Sequence, residues 1–387
     1  MDPDRGPRRR QPRAGHRPSV VYVTNELPSV GNNGGQVREI ELLRRLSERW
    51  SIHLVVTGPS PGLCSAVGWD RPTISDSARC WEPQPDCAPD GFTSRERSVF
   101  VPDLKARLEH LVRHTGACLA HFEGYFTALA AVPLSCPTCL VEENVEWTLE
   151  EQRNRPAGGC RSREVEQWRR ATELVVVGVE DRSIVRSFGM DAEVVPSGAD
   201  HLHRRPVTAR PVPRHFYMVT GSDWWPTVES VDLLVHTIWP EVLRARSDAR
   251  LSLFGRSSRR YDGWHGGSIE GRGWVPDLGL EMSGHDALLA PVMSGGGVRI
   301  KVLEALGVGI PVFTTSEGLR GIPGAAQRGC RIADDPIGLA RSVIHAMDDE
   351  VGWRATRSAA MEAVRHLSRW DESAELLDSV WARAARR

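Results

Sequence analysis

At 387 residues the chain is long enough for two hydrophobic cores, so its length favours two domains. A formal net charge of −1 excludes a general electrostatic attraction to nucleic acid or to an anionic membrane. No apolar run reaches about 18 residues, so no spanning helix is predicted, and eight scattered cysteines do not make a disulfide framework in a chain of this size.

Residues 1–18 are basic and proline-rich, lack the apolar stretch of a signal peptide, and read as a disordered tail. Contact of that tail with acidic lipid stays open. Residues 19–24 (SVVYVT) have the β-branched, wholly apolar character of a buried parallel strand. A loop with Gly34 and Gly35 follows, then a helix through Val37, Ile40, Leu43 and Leu46, then a second strand, IHLVVTG. This βα unit puts a glycine pair beyond the C-terminal end of a strand, where open α/β sheets bind ligands, although a turn needing glycine only for its geometry has the same sequence. Residues 59–100 are rich in Pro, Gly and Asp and read as irregular. Residues 103–114 read as a helix, and ACLAHFEGYF as a strand ending at His121 and Glu123. Cys136 and Cys139 form CPTC, but no second pair follows at zinc-ribbon spacing. CPTCLVEENVEWTLEEQR reads as strand, polar turn and helix, and residues 163–189 as helix, strand and helix.

The segment VVPSGAD and the proline-rich run after it mark a join, with a linker over residues 196–214. The second half restarts with strand HFYMVTGS, the aromatic loop and helix after Ser222, strand LSLFG, and GRGWVPD with Trp274 and Val275. An apolar strand then leads into APVMSGGGVRIKVLEALGVGIPVFTTSEGLRGI, residues 290–322. Here a glycine turn (Gly295, Gly296, Gly297) precedes a helix carrying Arg299, Lys301 and Glu304. A helix start offers unpaired N–H groups and a dipole that favours an anion, and glycine lets a phosphate approach the backbone. Glu304 would lie roughly 10 Å along the helix from Gly297, about the span from a diphosphate to its ribose. Lys105 and Lys301 are the only lysines in a chain that otherwise uses arginine, which singles out Lys301 as a compact ammonium charge. An ordinary turn followed by a solvated Lys301–Glu304 pair is the competing reading. The helices after it include a last one with Leu376, Leu377, Val380 and Trp381 at helical spacing.

Pro291, Gly295, Gly297, Arg299, Lys301, Glu304, Ala305, Gly309, Pro311, Val312 and Thr315 stand in the order of, and together resemble, the donor-binding signature of GT-B glycosyltransferases of the retaining group 1 (family 4) type. The resemblance implies an α/β fold of GT-B architecture, with two Rossmann-like doubly wound domains facing across a cleft. On that reading residues 19–195 form the acceptor-side domain, 215–367 the nucleotide-sugar domain, and 368–387 a helix crossing back to the first. It implies that Glu304 binds the donor ribose and that Arg299, Lys301 and the amides of Gly295, Gly296 and Gly297 hold the diphosphate. Gly34 and Gly35 would face the donor phosphate and acceptor, Ser222 the phosphate site, and Trp274 and Val275 the base, with a packed core position as the alternative for Trp274. His121 and Glu123 stand where the family carries H-x-H. A carboxylate at Glu123 would orient a sugar hydroxyl, take the acceptor proton, or only cap the next helix. Glu142, Glu143 and Asn144 sit where relatives carry a D-x-H-N-x-E pattern, and Glu146 matches its final glutamate.

The sequence departs from the family at Gly296, where many relatives carry a second glutamate, and at Arg320, where glutamate is common. The function expected is retaining, metal-independent transfer of a sugar from a nucleoside diphosphate sugar, without a further cofactor, to a small-molecule, glycan or lipid-linked acceptor, in the cytoplasm. A catalytically inactive nucleotide-binding partner protein and a nucleotide-sugar epimerase of the same fold are the alternatives. No G-x-G-x-x-G follows the first strand, which disfavours a dehydrogenase.

Overall fold

The computed structural model describes residues 17–28, 33–58, 77–129, 131–202, 210–221 and 224–387. The strands form two wholly parallel sheets. The first contains β1 (Ser19–Thr24), β2 (Ser51–Val56), β3 (Ser77–Cys80), β4 (Leu119–Glu123), β5 (Thr138–Glu142), β6 (Glu173–Val176) and β7 (Glu193–Val194), in the order β3-β2-β1-β4-β5-β6-β7. The second contains β8 (His215–Val219), β9 (Arg250–Phe254), β10 (Ile269–Gly273), β11 (Ala287–Ala290), β12 (Val312–Thr314) and β13 (Cys330–Ile332), in the order β10-β9-β8-β11-β12-β13. In each sheet the order reverses beside the first strand of the lobe, the switch point at which α/β sheets open a crevice.

Both faces of each sheet are covered, which is why the central strands read as unbroken apolar runs. In the first lobe one face packs Val21, Val23, Ala120 and Phe122 against the helix Leu104–Thr115 and its neighbours. The other packs Val20, Tyr22, Ile52, Leu54 and Val141 against the helices Gly34–Leu46 and Trp370–Ala384. The last helix therefore rejoins the first lobe. It buries Trp370, Ala374, Leu377, Val380 and Trp381, while Leu376, expected on the apolar stripe, is 40% exposed. That helix is also clamped by ion pairs, Arg45 to Asp371 at 2.6 Å and Arg49 to Asp378 at 2.8 Å.

Two local expectations are corrected. The stretch 59–100 is not irregular throughout: β3 and the helix Ser94–Ser98 lie within it, the helix closed by a Thr93–Glu96 capping box, while residues 59–76 lie outside the described ones. The single helix expected beyond the aromatic loop after Ser222 is interrupted. Trp225–Leu233 runs into a π turn over Leu234–Ile238 before Trp239–Ala245, next to Pro240, which has no N–H to continue the α ladder.

Candidate functional site

The loops at the C-terminal ends of β1, β5, β8, β9, β10 and β11 converge on a cleft of about 1010 Å³ between the lobes. Gly34, Gly35, Trp274, Val275, Gly296, Arg299, Lys301 and Glu304 all line it. Trp274 is 52% exposed, so it belongs to the cleft wall and not to the core. Ser222 lies outside the described residues.

The helix Ile300–Gly307 is set by its buried stripe of Val302, Leu303, Ala305 and Leu306 against the second sheet, which turns Lys301 and Glu304, three residues apart, to the cleft. Lys301 Nζ donates to the Val219 carbonyl at the end of β8, 3.1 Å away. Burial, with a smaller contribution from nearby Arg299, lowers its pKa to about 8, and Glu304 offsets part of the effect. Glu304 Oε1 is 3.0 Å from His201 Nε2, and the indole N–H of Trp370 donates to His201 Nδ1 at 3.1 Å. An indole N–H can only donate, so Nδ1 must accept and the Nε2–H is the donor to Glu304. The crossing helix thus orients the carboxylate through a histidine.

Arg299 behaves differently from the expectation that it reaches out to a diphosphate. It caps the helix with non-helical backbone, and its guanidinium folds back on the glycine turn, donating to the carbonyls of Gly296 at 2.5 Å and Ser294 at 3.4 Å and to Glu317 at 2.8 Å. Burial lowers its pKa, with the Glu317 carboxylate opposing. Arg299 braces the loop and adds positive charge from behind it.

The three glycines also divide. The Gly295 N–H donates to Gln152 Oε1 at 2.7 Å, and Gln152 Nε2 donates back to the Gly295 carbonyl at 3.2 Å, so this amide is spent on a first-lobe side chain. Gly296 lines the cleft. Gly297 has φ +62° and sits so close to the first lobe that a Cβ would meet the Glu143 carbonyl at 2.1 Å. No residue but glycine fits there without parting the lobes.

His121 and Glu123 do not reach the cleft, contrary to expectation. They alternate on the sheet face that the crossing helix covers, and are 0% and 3% exposed. His121 stacks on Tyr22, ring centroids 4.3 Å apart, and accepts from the Trp381 indole at 2.9 Å. Its Nε2–H then points to Glu123 Oε1 at 3.0 Å, which also accepts from Tyr22 Oη at 2.5 Å. Burial raises the Glu123 pKa, but these hydrogen bonds and the charge of Arg38 outweigh it and leave it lowered. The same Trp–His–Glu order thus occurs twice, both tryptophans coming from the crossing helix.

First-lobe carboxylates that do line the cleft are Glu26, Glu143 and Glu146; Glu143, the second residue of the EEN stretch, sits next to Gly35, where a Cβ would meet its Oε2 at 2.5 Å. Burial and the neighbouring Glu123 push its pKa up to about 7, against the pull of Arg38 and Arg95. Its neighbour Glu142 is structural, accepting from the Trp168 indole at 2.9 Å. Glu164 accepts from the amides of Glu146 and Trp147 and so fixes the start of the helix Glu146–Gln152, where the turn after β5 ends. Arg38 lines the cleft too, 2% exposed, with Nη1 donating to Ser197 Oγ at 3.3 Å. Sequence reading placed Glu143 in the D-x-H-N-x-E-like turn without giving it a role at the site, and passed over His201. The signal for Glu143 was a second acidic residue directly after Glu142, in the turn at a strand's C-terminal end; His201 carried none.

Among the described residues no cluster of metal-ligating side chains occurs, and no helix is long and apolar enough to cross a membrane. Residues 214–349 match the family model described as Glycosyl transferases group 1. No curated protein matches the chain. Solved structures share the fold over nearly the whole length. Sucrose-phosphate synthase from Thermosynechococcus elongatus aligns with a TM-score of 0.73 at 13% identity, over 95% of this chain and 99% of its own. Anabaena HepE in complex with UDP and glucose gives 0.66 at 12% identity, over 94% and 99%. Phytolacca americana UGT2, complexed with UDP-2-fluoro-glucose and pterostilbene, gives 0.58 at 14% identity, over 95% and 99%.

Proposed function

We propose that this chain, whose second lobe is a group 1 glycosyl transferase domain within a whole-chain GT-B fold, moves a sugar from a nucleoside diphosphate sugar to an acceptor hydroxyl with retention of configuration and without a metal ion. One observation carries the reading: Lys301 and Glu304 face one cleft from a single helix, directly behind the glycine turn. Glu304, oriented by His201, would accept hydrogen bonds from the ribose hydroxyls. Lys301, with the N–H groups of Gly296 and Gly297 and the charge of Arg299 behind them, would take the diphosphate. Negative charge grows on that diphosphate as the glycosidic bond breaks, so preorganised cations there act most strongly in the transition state. The lobes meet at Gly34, against Ile300, and at Gly297, against Glu143, and such close approach would keep water from the reacting carbon. The UDP and glucose held by the Anabaena protein are the class of ligand that this arrangement suits.

The test is turnover of a nucleoside diphosphate sugar. Wild-type chain should release nucleoside diphosphate, more rapidly with acceptor present, and excess chelator should leave the rate unchanged. Lys301→Ala should lower it by about 10²-fold or more while the thermal midpoint holds. Proton NMR of the product should show the anomeric configuration of the donor. Wild-type rates in Lys301→Ala would remove the assignment, and an inverted product would remove the retaining step.

A further inference from the structure

The two walls of the cleft differ in chemistry. Among the described lining residues every aromatic ring, those of Trp224, Phe254 and Trp274, comes from the second lobe, together with Val275 and Leu278. Such a wall suits a flat base. The first-lobe wall presents Glu26, Arg38, Arg95, Glu143, Asn144 and Glu146.

Several of these already have partners. Glu26 accepts from Asn33 and Gln36, Asn144 donates to Glu146 at 3.4 Å, and the Arg95 guanidinium lies 4.5 Å from the centre of the Phe126 ring. Two are left with unmet capacity. Arg38 keeps Nε and Nη2 buried without a partner, and Glu143 keeps Oε1 in the same condition. Arg38 and Glu143 influence each other electrostatically, yet no ion pair joins them. Buried donors and acceptors are costly to leave unpaired, so a donor fork and an acceptor oxygen in one wall call for a guest that can both give and receive. A hydroxyl does both. A phosphate or carboxylate does not suit the wall, because the carboxylates of Glu26, Glu143 and Glu146 outnumber Arg38 and Arg95. A flat aromatic aglycone would find no ring to stack on there.

We infer that the first-lobe wall is an acceptor subsite for an uncharged, hydroxyl-rich molecule, a sugar or cyclitol, with one hydroxyl donating to Glu143 and another hydroxyl oxygen accepting from Arg38. The inference rests on the glycosyl-transfer reading above and names its acceptor class. Glu143 is a substrate-contacting residue on this account, and its side chain sits beside the Gly34–Gly35 helix start, where the acceptor must meet the donor.

The experiment uses the full chain with the nucleoside diphosphate sugar that it hydrolyses best. Transfer is measured to a panel of monosaccharides and inositols, their phosphorylated counterparts, and a stilbene phenol. The uncharged polyols should be the preferred acceptors. Glu143→Gln, which keeps size and shape, should raise the acceptor KM by about tenfold or more with nucleotide affinity unchanged, and Arg38→Ala should raise it likewise. Preference for the phenol or a phosphorylated sugar, or a wild-type acceptor KM in Glu143→Gln, overturns the inference. Loss of nucleotide affinity in Glu143→Gln also overturns it, since the carboxylate would then serve the donor. A chain that hydrolyses its donor but transfers to no polyol overturns the inference alone. A chain that binds no nucleoside diphosphate overturns the glycosyl-transfer reading as well.

Discussion

Lys301 is the residue whose chemistry is most exposed to measurement. Its ammonium sits partly buried between the Val219 carbonyl and the cleft, and burial holds its pKa down to about 8. A lysine lowered in this way is charged below that pH and neutral above it. Diphosphate affinity should therefore be level below pH 8 and fall above it, by up to about tenfold per pH unit, whereas Lys301→Met should bind weakly with no such fall. Isothermal titration across pH 6.5–9.5 reads this, and a level wild-type profile would remove Lys301 from the phosphate site. Glu304 makes a second prediction at this scale. Because His201 and Trp370 only orient it, His201→Ala should weaken nucleotide binding by about tenfold, the loss expected for one charge-assisted hydrogen bond, while kcat at saturating donor stays near wild type. His201→Gln, which can still donate, should recover part of the affinity. A fall in kcat without a change in KM would contradict this positioning role.

At the scale of elements, the helix Trp370–Ala384 does more than complete the first lobe, because its two indoles address both buried His–Glu pairs. Trp381→Phe keeps the packing but strips His121 Nδ1 of its donor, and should cost about 1–3 kcal/mol of stability by denaturant unfolding. Leu376→Glu, on the exposed side, should stay within about 0.5 kcal/mol; equal losses in both would mean the hydrogen bond is not what matters. The same helix shows why some of the fold was legible and some was not. Its apolar spacing announced a buried stripe, yet the stripe includes Ala374 and excludes Leu376, a one-position ambiguity that period alone does not resolve. The central strands announced themselves because both faces are buried. The four edge strands β3, β7, β10 and β13 did not: they are short or polar, as in Ser77–Cys80, Glu193–Val194 and the alternating IEGRG of β10. In the site, the glycine turn and the Lys301–Glu304 spacing were readable because they lie on one local segment. Arg38 and Glu143 could be placed in their local motifs but not given partners, and His201 could not be placed at all, because their contacts span more than a hundred positions of sequence, such as Arg38 to Ser197 and His201 to Glu304, and spacing along one segment carries no record of those.

For the whole molecule, the proposed transfer depends on two lobes meeting at a narrow seam. Gln152 grips Gly295, Gly34 packs on Ile300, and Arg320 reaches Asp181 of the opposite lobe at 3.0 Å. The departure from family pattern at Arg320 is thus used as an interlobe tie. In the proposed reaction the seam closes over a nucleotide held by the second lobe. The most direct measurement is calorimetric titration of the wild-type chain and of Glu304→Ala with UDP, GDP, ADP and dTDP. One of the four should bind the wild type, and Glu304→Ala should weaken that same one by about tenfold or more. No binding of any of them to the wild type, or an affinity untouched by Glu304→Ala, would contradict the proposed reaction.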